Sequence, residues 1–263
     1  MRDGPVPSLT RDFAHFDPRA YLTEYYADVG QENLALLRFM AEAYRSLPPG
    51  GRLLDFGGGP TVYPLISAVG CVAEVHFSDY LPANLAEVRL WLAGDRRAFD
   101  WSEFVRTALE IETGRPCSRA EVRQREQRVR ALVTRVLRCD ASRNPPLDPA
   151  LGPYDVVVSN FCAESATQDR AQWRAFAFNI VSQLRDGGVL ILSALMGASS
   201  YAVGPRWFPA VDIGEEDMLE LLEEAGFAAK SIELRTVPAD RPSRDYEGLM
   251  LVVARNARQG GGA

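Results

Sequence analysis

Apolar and polar positions repeat along this chain in two periods, and the switches between them mark its elements. From Gln31 to Leu47, Leu34, Leu37, Phe39-Met40 and Ala43-Tyr44 recur at helical spacing until Pro48-Pro49-Gly50-Gly51 ends the run. Arg52 to Phe56 then reads as a first strand, and Pro60 to Val69 as a helix whose proline sits in the first turn, where a missing N–H costs nothing. Val75-His76-Phe77 predicts a second strand, Pro82 to Leu92 a helix, and Val136 to Cys139 a third strand. Asp155 to Asn160 and Val189 to Ala194 read as buried strands, with a helix over Ala171 to Leu184 that Asp186-Gly187-Gly188 stops. A helix over Glu215 to Ala225 and strands over Ser231 to Val237 and Gly248 to Ala254 complete the series. Such alternation predicts an α/β fold, a doubly wound Rossmann-like parallel sheet of about seven strands.

Two segments fall outside the alternation. Residues 1–30 are rich in aromatics (Phe13, Phe16, Tyr21, Tyr25, Tyr26) and read as a lid folding over a site. Residues 93–135 form a long helical insertion, and Arg115 to Arg138 within or bordering it carries eight arginines among Glu121 and Glu126. That charge reads as the mixed outer face of a solvated amphipathic helix. The remaining division is a main domain over residues 31–257 and a disordered tail over 258–263.

A chain of 263 residues with 47% hydrophobic content can bury a core as one compact unit. The net charge of −6 argues against nucleic acid or acidic membranes as partners, since both demand clustered positive charge. Lys230 is the only lysine. Cys71, Cys117, Cys139 and Cys162 are widely spaced and, with only His15 and His76, predict neither disulfides nor a metal site. Met1 to Thr10 lacks the apolar core of a signal peptide, and no apolar run reaches membrane-spanning length. The expectation is a cytoplasmic protein, monomeric or weakly self-associating, whose partner is a small molecule.

Chemistry enters where the first strand meets Gly57-Gly58-Gly59-Pro60-Thr61-Val62. About twenty residues on, Asp79 ends the second strand, the separation at which a carboxylate meets a ribose held against a glycine turn. A dinucleotide-binding turn calls for a third glycine where Val62 stands. Asp79 by itself suits the free ribose of S-adenosylmethionine and of NAD equally.

A series of short blocks separates the two. Phe16-Asp17-Pro18-Arg19-Ala20-Tyr21-Leu22 with Tyr25-Tyr26, Asp55 to Tyr63, Ser78-Asp79-Tyr80 and Asn84-Leu85 resembles the family of small-molecule methyltransferases acting on nicotinamide, phenylethanolamine and thioether or indolethylamine substrates. The resemblance continues through Ala98 to Ser102, Val136 to Asp140, Ser199-Ser200-Tyr201 and Glu247-Gly248-Leu249, so it runs from about Phe13 to Arg255. It implies a class I methyltransferase using S-adenosylmethionine beneath an N-terminal helical lid. Carried over by position, Tyr26, Thr61 and Tyr63 would hold the methionine end, and Gly57, Gly58 and Gly59 would permit close approach. Asp79 would take the ribose, Tyr80 and Asn84 would flank the adenosine, and Asp140 with Ala141 would meet the adenine.

For the acceptor, the resemblance implies Phe13, Tyr21, Glu164, Ser193, Tyr201 and Asp245, with Glu164, Tyr21 and Asp245 as the catalytic candidates. The sulfonium methyl is already electrophilic, so in-line transfer needs a neutral nucleophile held close and dry. A protonated amine must first lose a proton, and a carboxylate can bind the cation and take it. Glu164, just past the fourth strand, is the first candidate; Asp245 is a second. Ser193 replaces the nicotinamide branch's aspartate, Ala198 and Ser199 occupy the place of a second acidic residue in the phenylethanolamine branch, and Phe13 replaces a tyrosine of its lid. These departures favour N-methylation of a different small amine or guanidine. Methyl transfer to oxygen, sulfur or carbon is the alternative, followed by an NAD-dependent oxidoreductase or a nucleotide-binding protein.

Overall fold

A computed structural model describes residues 9–10, 12–147, 151–240 and 245–256. The expected tail over 258–263 and the first eight residues of the expected lid lie outside them.

Seven strands form one sheet: β1 (Gly51–Phe56), β2 (Val72–Asp79), β3 (Val133–Arg138), β4 (Tyr154–Asn160), β5 (Leu184–Met196), β8 (Ile232–Pro238) and β9 (Gly248–Arg255). Their order is β3-β2-β1-β4-β5-β9-β8. A separate hairpin joins β6 (Ser200–Val203) to β7 (Arg206–Pro209). The first five main-sheet strands run parallel, as the alternation predicts, but β9 inserts antiparallel between β5 and β8. The doubly wound seven-strand sheet is as expected, with β9 its one antiparallel member. Only the nine residues 239–247 separate β8 from β9, fewer than the dozen or so that a crossover to a parallel neighbour requires.

The sheet has two covered faces. Leu53, Val156, Val158, Val189, Ile191, Leu251 and Val253 pack under α2 (Gly30–Arg45), α4 (Ser102–Thr113) and α5 (Arg119–Leu132). Leu54, Val157, Leu190, Leu192 and Val252 pack under α6 (Arg170–Val181) and α7 (Glu215–Glu224). A fourth helix on the first side, α3 (Pro82–Leu92), begins with a proline and closes against β3. Near-continuous burial along β4 and β5 follows from this double cover.

The insertion is not a separate unit. α4 and α5 extend the helical layer beside α2, and α5 leads directly into β3, which starts three residues earlier than expected. Val122 and Val129 are the buried stripe of α5. Arg125 grips Glu112 at 2.6 and 2.9 Å and reaches the Ile66 carbonyl at 2.9 Å. Arg130 donates to the Trp91 carbonyl and lies 4.5 Å from its ring centre. Part of the arginine charge therefore fastens the insertion to the core.

Two local expectations change. Pro60 to Val69 is not an α-helix: after a turn through Gly59-Pro60 and an irregular Thr61-Val62, a 3₁₀ run over Tyr63–Ala68 is buried at every position. With Pro64 inside it and no exposed face, the amphipathic period is missing. The helix expected to reach Leu184 ends at Val181, because Leu184 pairs with Tyr154 before a bulge resets the register to Val156 opposite Val189.

Candidate active site

A cavity of about 360 Å³ opens above the carboxyl ends of β1, β2 and β4, within the size range of small-ligand sites. Its position follows from the strand order, since chains leaving β1 and β4 diverge to opposite faces and leave a crevice.

Three glycines make one wall. A Cβ on Gly57 would stand 2.2 Å from Cys162 Sγ, and one on Gly58 would stand 2.5 Å from the Phe77 ring. Gly59 has a φ of +63° and no neighbour within 4 Å of a notional Cβ, so its backbone is open to the cavity. Val62 is fully buried and no α-helix starts behind the turn. The close helix contact that a third glycine would serve is absent, and so is the helix N-terminus that would face a pyrophosphate.

Asp79 occupies the next strand end. Its Oδ2 accepts from Gly59 N at 2.9 Å, and its Oδ1 accepts from Leu81 N at 2.8 Å and Asn84 Nδ2 at 2.9 Å. Burial raises its pKa, and these three donors oppose the rise. The carboxylate is thus oriented before any ligand arrives, while Asn84 Oδ1 stays buried without a partner. Tyr80 lies at the rim, 46% exposed, with Arg138 5.3 Å over its ring. Asp140, Ala141 and Ser142 line the same end, and the Ala141 carbonyl is held by Asn179 at 2.8 Å.

The opposite wall is aromatic. Asp17 caps α1 (Pro18–Tyr26) by accepting from Arg19 N and Ala20 N, and this helix carries Tyr21, Tyr25 and Tyr26 into the cavity lining. Tyr26 stacks on Tyr63 at 5.4 Å and stands 5.7 Å from Tyr21. Burial raises the pKa of all three phenols. The lid is tied down at both ends. Arg19 pairs with the buried Glu87 at 2.8 Å, and Tyr25 donates to the Ala202 carbonyl at 2.9 Å. Phe13 stacks on Phe208 at 5.4 Å, Phe208 stacks on Tyr201 at 5.7 Å, and Thr10 N donates to the Trp207 carbonyl.

The structure therefore brings Phe13, Tyr21, Tyr26, Gly57, Gly58, Gly59, Thr61, Tyr63, Asp79, Tyr80, Asn84, Asp140, Ala141 and Tyr201 around one cavity. Three expected residues stand apart from its lining. Glu164 and Ser193 border a small void beneath it, and Asp245 accepts from Ser200 Oγ at 2.6 Å, tying the C-terminal loop to the hairpin. Glu164 is 3% exposed, so it is not a solvent-facing helix-start residue; α6 begins later, capped by Asp169. Its Oε1 accepts from Leu195 N at 3.1 Å, and burial lifts its pKa to about 7. After burial and the neighbouring phenols, its charge also raises the pKa of Tyr21 and Tyr201.

Several lining or supporting residues escape a linear reading. The β6–β7 hairpin completes the lid; its signal was the alternation around Gly204-Pro205 that bounds Ser200–Val203 and Arg206–Pro209. Glu32 on α2 accepts from Tyr246 OH at 2.6 Å and Asp240 N at 2.8 Å, a junction that no local pattern announces. Asp55 is fully buried with neither carboxyl oxygen partnered, and burial and then Asp79 raise its pKa.

The chain has relatives among known sequences and structures. The sequence pattern of the NNMT/PNMT/TEMT family matches residues 7–257. The chain is 32% identical over 249 residues to mouse indolethylamine N-methyltransferase, covering 91% of this chain and 92% of the relative. It is 31% identical over 251 residues to human nicotinamide N-methyltransferase (92% and 93%) and 33% identical over 239 residues to pig phenylethanolamine N-methyltransferase (86% and 83%). The fold is shared with 1,6-didemethyltoxoflavin-N1-methyltransferase from Burkholderia thailandensis, solved with S-adenosylhomocysteine (TM-score 0.52, 19% identity, 97% and 93% coverage). It is also shared with the N-methyltransferase NodS from Bradyrhizobium japonicum (TM-score 0.53, 13% identity, 88% and 91% coverage).

Proposed function

The chain belongs to the NNMT/PNMT/TEMT family, and we propose that it transfers a methyl group from S-adenosylmethionine to the nitrogen of a small amine or guanidine. The observation that carries this reading is the cavity itself: a glycine bend and an oriented carboxylate at one end, an aromatic lid over the other.

The residues present fit the cofactor. Gly59 leaves open space, Asn84 Oδ1 is an orphaned acceptor beside the ribose site, and Asp79 keeps lone-pair capacity beyond its three internal donors. Tyr26, Thr61 and Tyr63 would hold the methionine end; Tyr80, Asp140 and Ala141 would hold the adenine end. When bound, the cofactor supplies an electrophilic methyl on a sulfonium. The absence of a helix N-terminus behind the turn disfavours a pyrophosphate and with it NAD.

The chain's own contribution is position, dryness and proton management. Tyr21, Tyr201, Phe13 and Phe208 exclude water, so that a nitrogen lone pair meets the methyl without competing solvent. Among the described residues the cavity lining contains no Lys, Arg or His, whereas Glu32, Asp79 and Asp140 belong to it. A cationic amine is therefore favoured over an acidic acceptor. Glu164, buried beneath the cavity with a pKa near neutrality, attracts the ammonium and takes its proton through water rather than by direct contact. Ser193 and Asp245 act one step removed, the first beside Glu164 and the second through Ser200.

Thermal shifts with S-adenosylhomocysteine and NAD, run separately, test the cofactor. Stabilisation by the first alone is expected, and stabilisation by NAD alone would retire the methyltransferase reading.

A further inference from the structure

Asn160 ends β4 on the sheet face shared with Val156 and Val158, and it lines the cavity. It is 8% exposed, and neither its Oδ1 nor its Nδ2 has a hydrogen-bond partner. Directly across the ladder stands Ser193, 1% exposed, whose Oγ is also unpartnered. The following residue, Phe161, adopts a φ of 52° while its N–H donates to the Ser193 carbonyl at 2.7 Å. Left-handed backbone is uncommon for phenylalanine, and such strain collects where a site must be held in shape.

A buried amide left without partners costs about 1–3 kcal/mol per group, so a fold retains one chiefly where something else completes it. The position indicates what does. Asp79 and Asn84 anchor the nucleoside at β2, and β1 lies between β2 and β4. With about 4.8 Å between neighbouring strands, Asn160 is set roughly 10 Å to the side of that anchor. Beyond it lie Leu195, Leu249 and Tyr201, the lining on the acceptor side. The chemistry of the group narrows the choice further. An amide presents an acceptor beside a donor and carries no charge, so its complement is an edge that presents a donor beside an acceptor. With no cation in the described lining, an anionic group there would lack a counter-charge.

We propose that Asn160 is a specificity-determining residue that reads an uncharged N–H and carbonyl edge on the acceptor, as in a lactam or urea, distinct from the nitrogen that receives the methyl. The assignment rests on the reading of the cavity as a small-amine N-methyltransferase site. Glu164 then manages the reacting nitrogen, and Asn160 sets the orientation of the rest of the molecule.

The test uses two amines of matched size, a pyridone ethylamine and phenylethylamine, titrated calorimetrically into the enzyme saturated with S-adenosylhomocysteine. The pyridone ethylamine is expected to bind about tenfold more tightly, the discrimination of a paired polar edge. Asn160→Ala and Asn160→Asp should each erase that preference, the second by removing the N–H donor while keeping the shape, with S-adenosylhomocysteine affinity unchanged in both. Equal binding of the two amines to the unmodified enzyme, including no binding of either, overturns the proposal. So does a preference that survives both substitutions, or a loss confined to S-adenosylhomocysteine affinity. Labelled methyl transfer in the same mixtures separates the two readings. Pyridone ethylamine that binds through Asn160 but is never methylated would sink the amine N-methylation reading and leave the recognition assignment standing.

Discussion

Two buried carboxylates, one at the strand end beside the glycine bend and one beneath the aromatic side of the cavity, are held in different ways. At the nucleoside end Asp79 receives three hydrogen bonds, two of them from backbone N–H groups. Beneath the acceptor end Glu164 accepts from Leu195 N at 3.1 Å, from its own backbone N–H and from the Ser165 side chain, and its pKa still reaches about 7. Desolvation raises both, and three hydrogen bonds oppose it at each. Those at Asp79 tie it to the glycine bend and to α3, whereas two of the three at Glu164 come from its own residue and the next. Under the proposed function, one carboxylate stays in place and accepts hydroxyls. The other is poised to exchange a proton near neutral pH. The donors to Asp79 come from two adjacent strand ends and the start of α3, whereas the aromatic wall joins α1 to the distant β6–β7 hairpin, so the first end draws on a shorter stretch of chain.

Substitution can break this contrast most severely at the glycine bend. Gly57→Val would put its side chain onto Cys162 at a φ of +68°. We expect loss of measurable cofactor binding together with about 1–3 kcal/mol of stability, read by calorimetry and denaturant unfolding. Unaltered cofactor affinity would remove the bend from the site.

Glu164→Gln comes next. Turnover of an amine should fall about 10²–10⁴-fold with cofactor affinity unchanged. In the unmodified enzyme kcat/KM should rise with pH through about 7, as the carboxylate deprotonates, and the variant should lack that limb. The stability sign runs the other way from an ordinary ion-paired acid. A carboxyl whose folded pKa is raised favours folding below its unfolded value of 4.5 and loses that contribution as pH climbs through about 7. The glutamine variant should therefore gain in Tm relative to the unmodified protein between about pH 5 and pH 8; a constant Tm difference would mean that Glu164 ionises freely.

Asp79→Ala removes an acceptor from ribose and strands the N–H groups of Gly59 and Leu81. A charged hydrogen bond is worth about 1.5–3 kcal/mol, so S-adenosylhomocysteine affinity should drop about tenfold to hundredfold. An unmoved dissociation constant would place the ribose elsewhere.

The smallest effect belongs to the lid. Tyr25→Phe deletes one hydroxyl bond to the Ala202 carbonyl, about 1 kcal/mol, and should raise the acceptor KM several-fold while leaving cofactor affinity alone. A change in cofactor affinity instead would show that the hairpin contact closes over the nucleoside end.

The strand and helix pattern, the glycine bend and the Asp79 spacing were legible along the chain because each depends on residues near one another in sequence. The family blocks were legible for the same reason: they are short and ordered. Packing decided the rest. Tyr63–Ala68 became a 3₁₀ run because it is buried on every side, and β9 ran antiparallel because of how it pairs with β5 and β8.

What the sequence determined by itself was the α/β layering, the cofactor bend and the roster of aromatic and acidic side chains, since period, turn chemistry and residue type are local properties. Tertiary structure alone decided that Phe208 would meet Phe13, that Glu164 would lie buried beneath the cavity, and that Asn160 would face Ser193 with both unpartnered. Those outcomes depend on burial and on contacts between segments far apart in the chain, and a linear pattern carries neither.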